Sequence, residues 1–502
     1  MVRNFIKIIL FIALIFMPFI ILNLSVVDIA LSIPRLFSFL FNNFFPPNFT
    51  AIEGNIPIIY NTILFAIVGT VISAMLAFFM GILMSVHFNR FLYVRVFIKF
   101  IASFLRNIPI VIFASILVFI FGIGPLIGVV TLVLGGVGFL ARSYAQTMDE
   151  IAETKLEALK STGASYFQII FHGLLPIFAK PWLNWTLFAF EINVRLSAIL
   201  GMVGAGGLGL LISANLELRN FRRAMALIIV LIVIVLLTEF LMNKLRGAIE
   251  QRHFPYFIVF ILIIIIFFFS AHSLNLNFRT FIERSANAPR ILSNFLAFSW
   301  ASVPTILNAL FTSILLGLSG LILGAFISFF LSFLSAKNTA PIYILSVIIK
   351  CIIAILRAIP SLIIIIMAVS SLGFGNSSAV VGIMFSSLGY LTRVFTGEIE
   401  EIPIEGIEAI KSTGASYFQV IYHGILPKVK NAFIGWISLR LESNISDSVA
   451  LGVVAAGGIG TLMARAIRIH DFEFLATSIL VIFIFMLFLE FITARINSIN
   501  RK

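Results

Sequence analysis

The chain has 502 residues, 61% of them hydrophobic and 11% charged, with a mean hydropathy of +1.14. A soluble domain carries about 45–50% apolar and about 25% charged residues, so this composition leaves too little polar surface to keep a folded body in water. Thirty-four Lys and Arg against 21 Asp and Glu give a formal charge of +13, but the basic residues mostly flank apolar runs, as membrane insertion favours, and no nucleic-acid role is assigned.

Apolar runs such as 254–271 are continuous over about the length of a membrane-crossing helix and do not alternate as transmembrane strands do, so the expected fold class is an all-α polytopic membrane protein. In chain order the apolar windows fall near 5–25, 58–87, 96–121, 125–141, 182–203 and 224–243, then near 255–272, 306–335, 342–371, 376–392, 432–455 and 474–494. The first follows Arg3 like a secretory signal, yet its run is long and no small-residue cleavage site follows promptly, so a retained first helix is expected. Cys351 is the single cysteine, which excludes an internal disulfide and a cysteine metal cluster. The histidines show no ligand spacing, and no metal is expected.

A shift of 251 residues superposes Glu157 to Gln168 on Glu408 to Gln419 with eleven of twelve positions identical. Without a gap it also superposes Arg106 and Pro109 on Arg357 and Pro360, and His172 and Pro176 on His423 and Pro427. The chain is therefore a tandem duplication, with domains expected at 1–250 and 251–502. About six spans per half make the two copies enter the membrane from the same side, a parallel repeat. Placing the N- and C-termini in the cytoplasm puts Arg90, Arg95, Lys99, Lys244, Arg246, Arg252 and Arg495 on the positive-inside face, together with the loops 142–181 and 393–431; Arg219, Arg222 and Arg223 fit this scheme less well.

Each of those loops reads as two short helices meeting at a glycine, Gly163 or Gly414, where a left-handed backbone costs little. Ser165 with Gln168, and Ser416 with Gln419, have the capping-box spacing, so a second helix opens there. A mere connector has no reason to repeat its surface residues while the surrounding helices diverge. The loop therefore reads as a helix-turn-helix offered to a soluble partner, and twin copies imply a twofold partner.

The run Glu-Ala-(Leu/Ile)-x-x-x-Gly followed by Leu175-Pro176 or Leu426-Pro427 resembles the EAA loop of ABC importer permeases. The resemblance implies an ABC type I importer fold, with ATPase coupling through Glu157, Ala158, Gly163, Glu408, Ala409 and Gly414. It also implies an ABC ATPase dimer and an extracytoplasmic substrate-binding protein as partners, in the cytoplasmic membrane of a prokaryote. The chain has no Gly-Lys dipeptide and so no Walker A loop; no cofactor is expected in it, ATP and Mg belonging to the separate ATPase.

At membrane depth, Glu191, Asn193 and Arg195 precede Gly201, and Glu442, Asn444 and Asp447 precede Gly452. Ionisable residues in an apolar span are functional candidates by default, although Glu191 and Arg195 are also spaced to pair with each other on one helix face. The literal GxGxxG at Gly204 to Gly209 lacks a βαβ context, so it reads as a tight turn and close helix packing. Glu-x-Asn-x-Arg leading into this glycine run resembles the phosphonate-type branch of these permeases. That resemblance implies a phosphonate or related phosphorus compound as substrate, with Arg195 meeting the oxyanion through its planar fork. Ser446 stands where the second copy would need that arginine, which argues against a symmetric site. The alternatives are a permease for methionine or another small solute, and an ion-coupled secondary transporter. A membrane enzyme would need a His or Asp cluster that the sequence lacks.

Overall fold

The computed structural model describes residues 15–155, 163–251, 256–276, 278–286, 288–295, 297–452 and 457–500. The described residues are helical, joined by turns, with no strand among them. Seven of the helices are long and apolar enough to cross a membrane, or ten if each sharply bent pair is one span. Leu426–Gly452, over the expected window 432–455, stays outside that set while carrying Lys428, Lys430, Arg440, Glu442 and Asp447.

Two compact units form, and neither is one sequence half. One comprises Pro46–Ser293; the other joins Met1–Phe45 to Asn294–Lys502. Each unit thus takes its opening helix from the other copy. Tyr256–Ser273 packs on Ile56–Met84, with Phe260 facing Trp182 at 5.9 Å, while Val26–Phe44 packs on Ser361–Leu372, with Phe37 edge-on to Phe385 at 6.1 Å. The division at residue 250 describes the repeat, whereas packing follows the exchanged helices.

The core of the first unit is the pair Ile56–Met84 and Pro125–Lys155. Gly69, Ser73, Ala77 and Gly81 recur every fourth residue and so form one stripe on the first of these helices. A Cβ at Gly69 would lie 2.8 Å from Leu132 Cβ, and one at Gly136 would lie 2.5 Å from Ser73 Oγ. The second unit repeats the device in Val303–Ser335 with Gly320, Gly324, Ser328 and Ser332, and a Cβ at Gly320 would lie 2.6 Å from Ile383 Cγ2. Without a hydrophobic effect between helices in lipid, such close backbone approach is what holds the pair.

The windows 96–121 and 342–371 are not continuous. Leu92–Asn107 meets Ile110–Phe121 at 90°, and Tyr343–Ala358 meets Ser361–Leu372 at 90°. The breaks fall at Ile108-Pro109 and Ile359-Pro360, where proline removes a backbone donor and pushes the preceding residue into extended geometry. Arg106 and Arg357 therefore cap the arms before the breaks. The Arg106 backbone passes over Gly138, where an added Cβ would lie 2.8 Å from Arg106 N, and the Arg357 side chain passes over Gly389, where one would lie 3.2 Å from Arg357 Cγ.

Candidate functional site

Two regions collect the residues singled out above. The first is the glycine turn. In the second copy Pro403 stops Asn376–Glu400 from running on, a separate helix Ile404–Lys411 follows, and Gly414 turns the chain at φ +78°. Pro125–Lys155 has Ala152 at the corresponding position and runs on without that break, well past the expected loop boundary at 142. Gly163 has φ +75°, and at neither turn glycine would a Cβ meet any atom within 4 Å, so only the backbone angle selects glycine. Glu157 and Ala158 lie outside the described residues. Glu408 and Ala409 are exposed.

Past the turn the backbone N–H of Ser165 donates to Gln168 Oε1 at 2.8 Å, and that of Ser416 donates to Gln419 Oε1 at 2.7 Å, so both capping boxes form. The helix then widens into π-helical turns at Ile169–Leu174 and Val420–Ile425. Each ends just before Leu-Pro, whose proline lacks an N–H and would crowd the carbonyl four residues earlier; the wider turn relieves that crowding. At the start of each turn stands an exposed aromatic knob. Phe167 is 70% and Phe418 78% exposed, flanked by exposed Tyr166 and Phe171 in one copy and Tyr417 and Tyr422 in the other. Partial burial pushes the Tyr417 phenol up, so the ring is neutral. These aromatics stand in the repeated Ser-Tyr-Phe-Gln run, but the sequence does not show that they are exposed.

The second region lies along Leu175–Leu200 and Leu426–Gly452. Glu191 is buried and accepts from two guanidinium groups: Arg195 Nη2 at 3.2 Å, one turn away, and Arg246 Nη2 at 2.9 Å, from Phe221–Glu250. The pairing of Glu191 with Arg195 expected from spacing is present. Arg246, read from sequence as a flanking cytoplasmic charge, instead reaches in to share the carboxylate. Asn193, between Glu191 and Arg195 in the chain but on another face of the helix, is buried and donates to Thr70 Oγ1 at 2.8 Å, which ties this helix to Ile56–Met84.

In the second copy Asn444 is fully buried and donates to Ser387 Oγ at 2.7 Å. Asp447 pairs with Arg440 at 3.5 Å and accepts from the hydroxyl of Ser361, the first residue after the proline break. Arg440 also donates to Ser386 Oγ at 2.7 Å and lies 5.4 Å from the Tyr390 ring centroid. Glu442 is half-buried. The copies thus carry different charge clusters, one built on the buried Glu191 and one on the half-buried Asp447.

Beyond both clusters the chain reverses over glycines. Gly204, Gly206 and Gly207 have φ of +100°, +90° and +78°, and the chain then returns as Leu208–Glu217, an element the sequence reading did not anticipate. The backbone N–H of Leu208 donates to Thr62 Oγ1 at 2.8 Å, and its counterpart Ile459 donates to Ser313 Oγ at 3.0 Å. The GxGxxG match is therefore a helix reversal pinned to the core.

The sequence matches the family described as "Binding-protein-dependent transport system inner membrane component" twice, over residues 77–254 and 328–501. The phosphate-import permease PhnE of Mycolicibacterium smegmatis is 26% identical over 450 residues, covering 87% of this chain and 84% of that protein. The phosphite transport system permease PtxC of Stutzerimonas stutzeri is 27% identical over 201 residues, covering 40% of this chain and 73% of that protein. An inward-facing structure of the MetNI methionine ABC transporter superposes with a TM-score of 0.37 at 19% identity, over 40% of this chain and 99% of that one. With both copies matched over most of their length, the chain belongs to the family of binding-protein-dependent transport system inner membrane components and carries two fused permease domains.

Proposed function

We propose that this permease imports a small phosphorus oxyanion, a phosphonate, phosphite or phosphate, across the cytoplasmic membrane of a prokaryote, driven by ATP hydrolysis on a separate ATPase dimer. Both termini and both glycine turns face the cytoplasm, and an extracytoplasmic binding protein delivers the substrate. Glu157, Ala158, Gly163, Glu408, Ala409 and Gly414 form the coupling surface, and ATP and Mg stay on the partner. Glu191, Asn193, Arg195, Glu442, Asn444 and Asp447 line or brace the substrate path.

The observation that carries the reading is the twin glycine turn, each copy followed by a capping box, a π-turn and an exposed aromatic knob. An aromatic left in water at the end of a rigid helix is suited to filling a pocket on a partner, where such anchors dominate binding. The phosphorus oxyanion is supported by the names of the relatives, a phosphate-import permease and a phosphite transport system permease. The copies differ in their charge clusters, so the substrate contact is asymmetric.

The test is reconstitution of the chain with its ATPase and binding protein in proteoliposomes, measuring ATP-dependent uptake of labelled phosphate, phosphite and methylphosphonate, with methionine as comparison. Uptake of at least one phosphorus oxyanion, lost together with ATPase co-purification in the Gly163→Val, Gly414→Val double variant, is expected. Methionine uptake alone would overturn the substrate class, and normal uptake in the double variant would overturn the docking role.

A further inference from the structure

The Glu191 cluster holds more donors than its carboxylate can use. Two guanidinium groups carry five N–H donors each, whereas a carboxylate offers about four lone-pair sites. Arg195 Nε is buried and meets no acceptor among the described residues. The exposure of the group is graded: the Glu191 side chain is 8% exposed, while those of Arg195 and Arg246 are each 26% exposed above it. The carboxylate is thus the buried centre of the group and the two forks are its more exposed part. Their bases are rigid, because Asn193 locks the intervening turn to Thr70 and Arg246 arrives from a separate helix.

We propose that Arg195 and Arg246 together form a small-oxyanion site whose resident ligand is the Glu191 carboxylate. An entering oxyanion takes the outward N–H groups of both forks, displacing Glu191 from one of them and freeing Arg195 to turn its unsatisfied Nε toward an acceptor. Tetrahedral oxyanions suit two forks, since each planar guanidinium can bond two oxygens at once. Glu191 is then an internal competitor that keeps the forks aligned when no substrate is present and weakens binding enough for release. The site is single in the chain: Ser446 and Asn497 stand at the repeat-equivalent positions of Arg195 and Arg246. The proposal deepens the reading of the chain as an oxyanion importer, and it adds Arg246, a residue placed by sequence among the flanking charges.

The experiment titrates inorganic phosphate into the purified permease with its ATPase in nanodiscs by calorimetry, alongside uptake in proteoliposomes. Expected are about tenfold weaker phosphate binding in Arg246→Gln and in Arg195→Gln, and about tenfold tighter binding with a lower uptake KM in Glu191→Gln, which removes the competitor. Arg246→Lys recovers only part, since an ammonium keeps charge without the fork. Phosphate binding unchanged in Arg246→Gln, or absent from the wild type, overturns the site. A Glu191→Gln, Arg195→Gln, Arg246→Gln triple variant, which removes the whole charge network and strands nothing, guards against misfolding: normal membrane abundance with wild-type uptake would make the cluster a brace and overturn the proposal. Wild-type phosphate binding without uptake of any phosphorus oxyanion would instead count against the transport reading while leaving the site standing.

Discussion

Replacing Gly209 by alanine asks whether the helix reversal is as tight as its backbone implies. Leu208–Glu217 crosses the end of Leu175–Leu200 so closely that a Cβ at Gly209 would sit 1.7 Å from Ala198 O and 3.0 Å from Met202 N. An ordinary C···O contact is about 3.3 Å, so the crossing must open by roughly 1.6 Å to admit one methyl group. The obstacle is backbone on both sides, so no side chain can rotate away. Overpacking of a core by a methylene costs about 1–3 kcal/mol when side chains can shift, and a backbone collision belongs at or beyond the upper end of that range. At about 2–4 °C per kcal/mol, a cost of about 3 kcal/mol lowers the thermal transition by roughly 6–12 °C. The assay is thermal unfolding of the detergent-purified protein. Gly460→Ala should behave alike, because its Cβ would lie 1.9 Å from Val449 O. Gly247→Ala is the control: it lies inside Phe221–Glu250 with nothing within 4 Å of the added atom, and a helical Gly-to-Ala change there should stabilise by about 0.5–1 kcal/mol. A Gly209→Ala transition within about 2 °C of the wild type, beside a Gly247→Ala control that melts slightly above it, would refute the tight crossing.

Two further outcomes follow from the exposed surfaces. Phe167→Ala with Phe418→Ala should cut ATPase association by tenfold or more, about 1.4 kcal/mol or above, while leaving the thermal transition of the isolated permease unchanged, because both rings are largely exposed and pack little against the chain; a pull-down titration beside a melting curve reads both. In a Cys351→Ser background, a cysteine at Glu53 should react with an impermeant thiol reagent on intact cells, whereas cysteines at Ser165 and Ser416 should react only after permeabilisation; labelling of either turn from outside would invert the topology.

What was legible in the sequence was local or repeated. The capping boxes at Ser165 and Ser416 involve residues three apart, so spacing alone specifies them. The duplication announced itself through residues whose partners are their own helices. Glu191 and Arg195 were readable as a pair for the same reason, being one turn apart. Arg246 was not, because it stands among basic flanking residues and meets Glu191 only through helix packing. Arg440 and Asp447 are seven apart and share a helix face, so periodicity makes the pair readable, although two turns separate them where Glu191 and Arg195 are one turn apart. The prolines at 109 and 360 marked the breaks, but a right-angled bend needs the packing of the following arm to define it. The exchanged helices left no trace in the sequence. Tyr256–Ser273 is apolar nearly all round, and such a helix has no face that names its neighbour.

That exchange sets a timetable for synthesis. Val26–Phe44 emerges early, yet the surface it seats against, Ser361–Leu372, is translated only after the whole of Pro46–Ser293. At about 5–20 residues per second the first helix waits roughly 15–70 s for its seat. During that wait the unit Pro46–Ser293 completes itself with Tyr256–Ser273, taken from beyond the end of the first copy. A ribosome that stopped at residue 250 would leave one body without its closing helix and one helix without a body. Fusion of the two copies therefore does more than fix their ratio, because it delivers each unit's missing piece on the same strand, in an order in which the first unit never has to wait for the second.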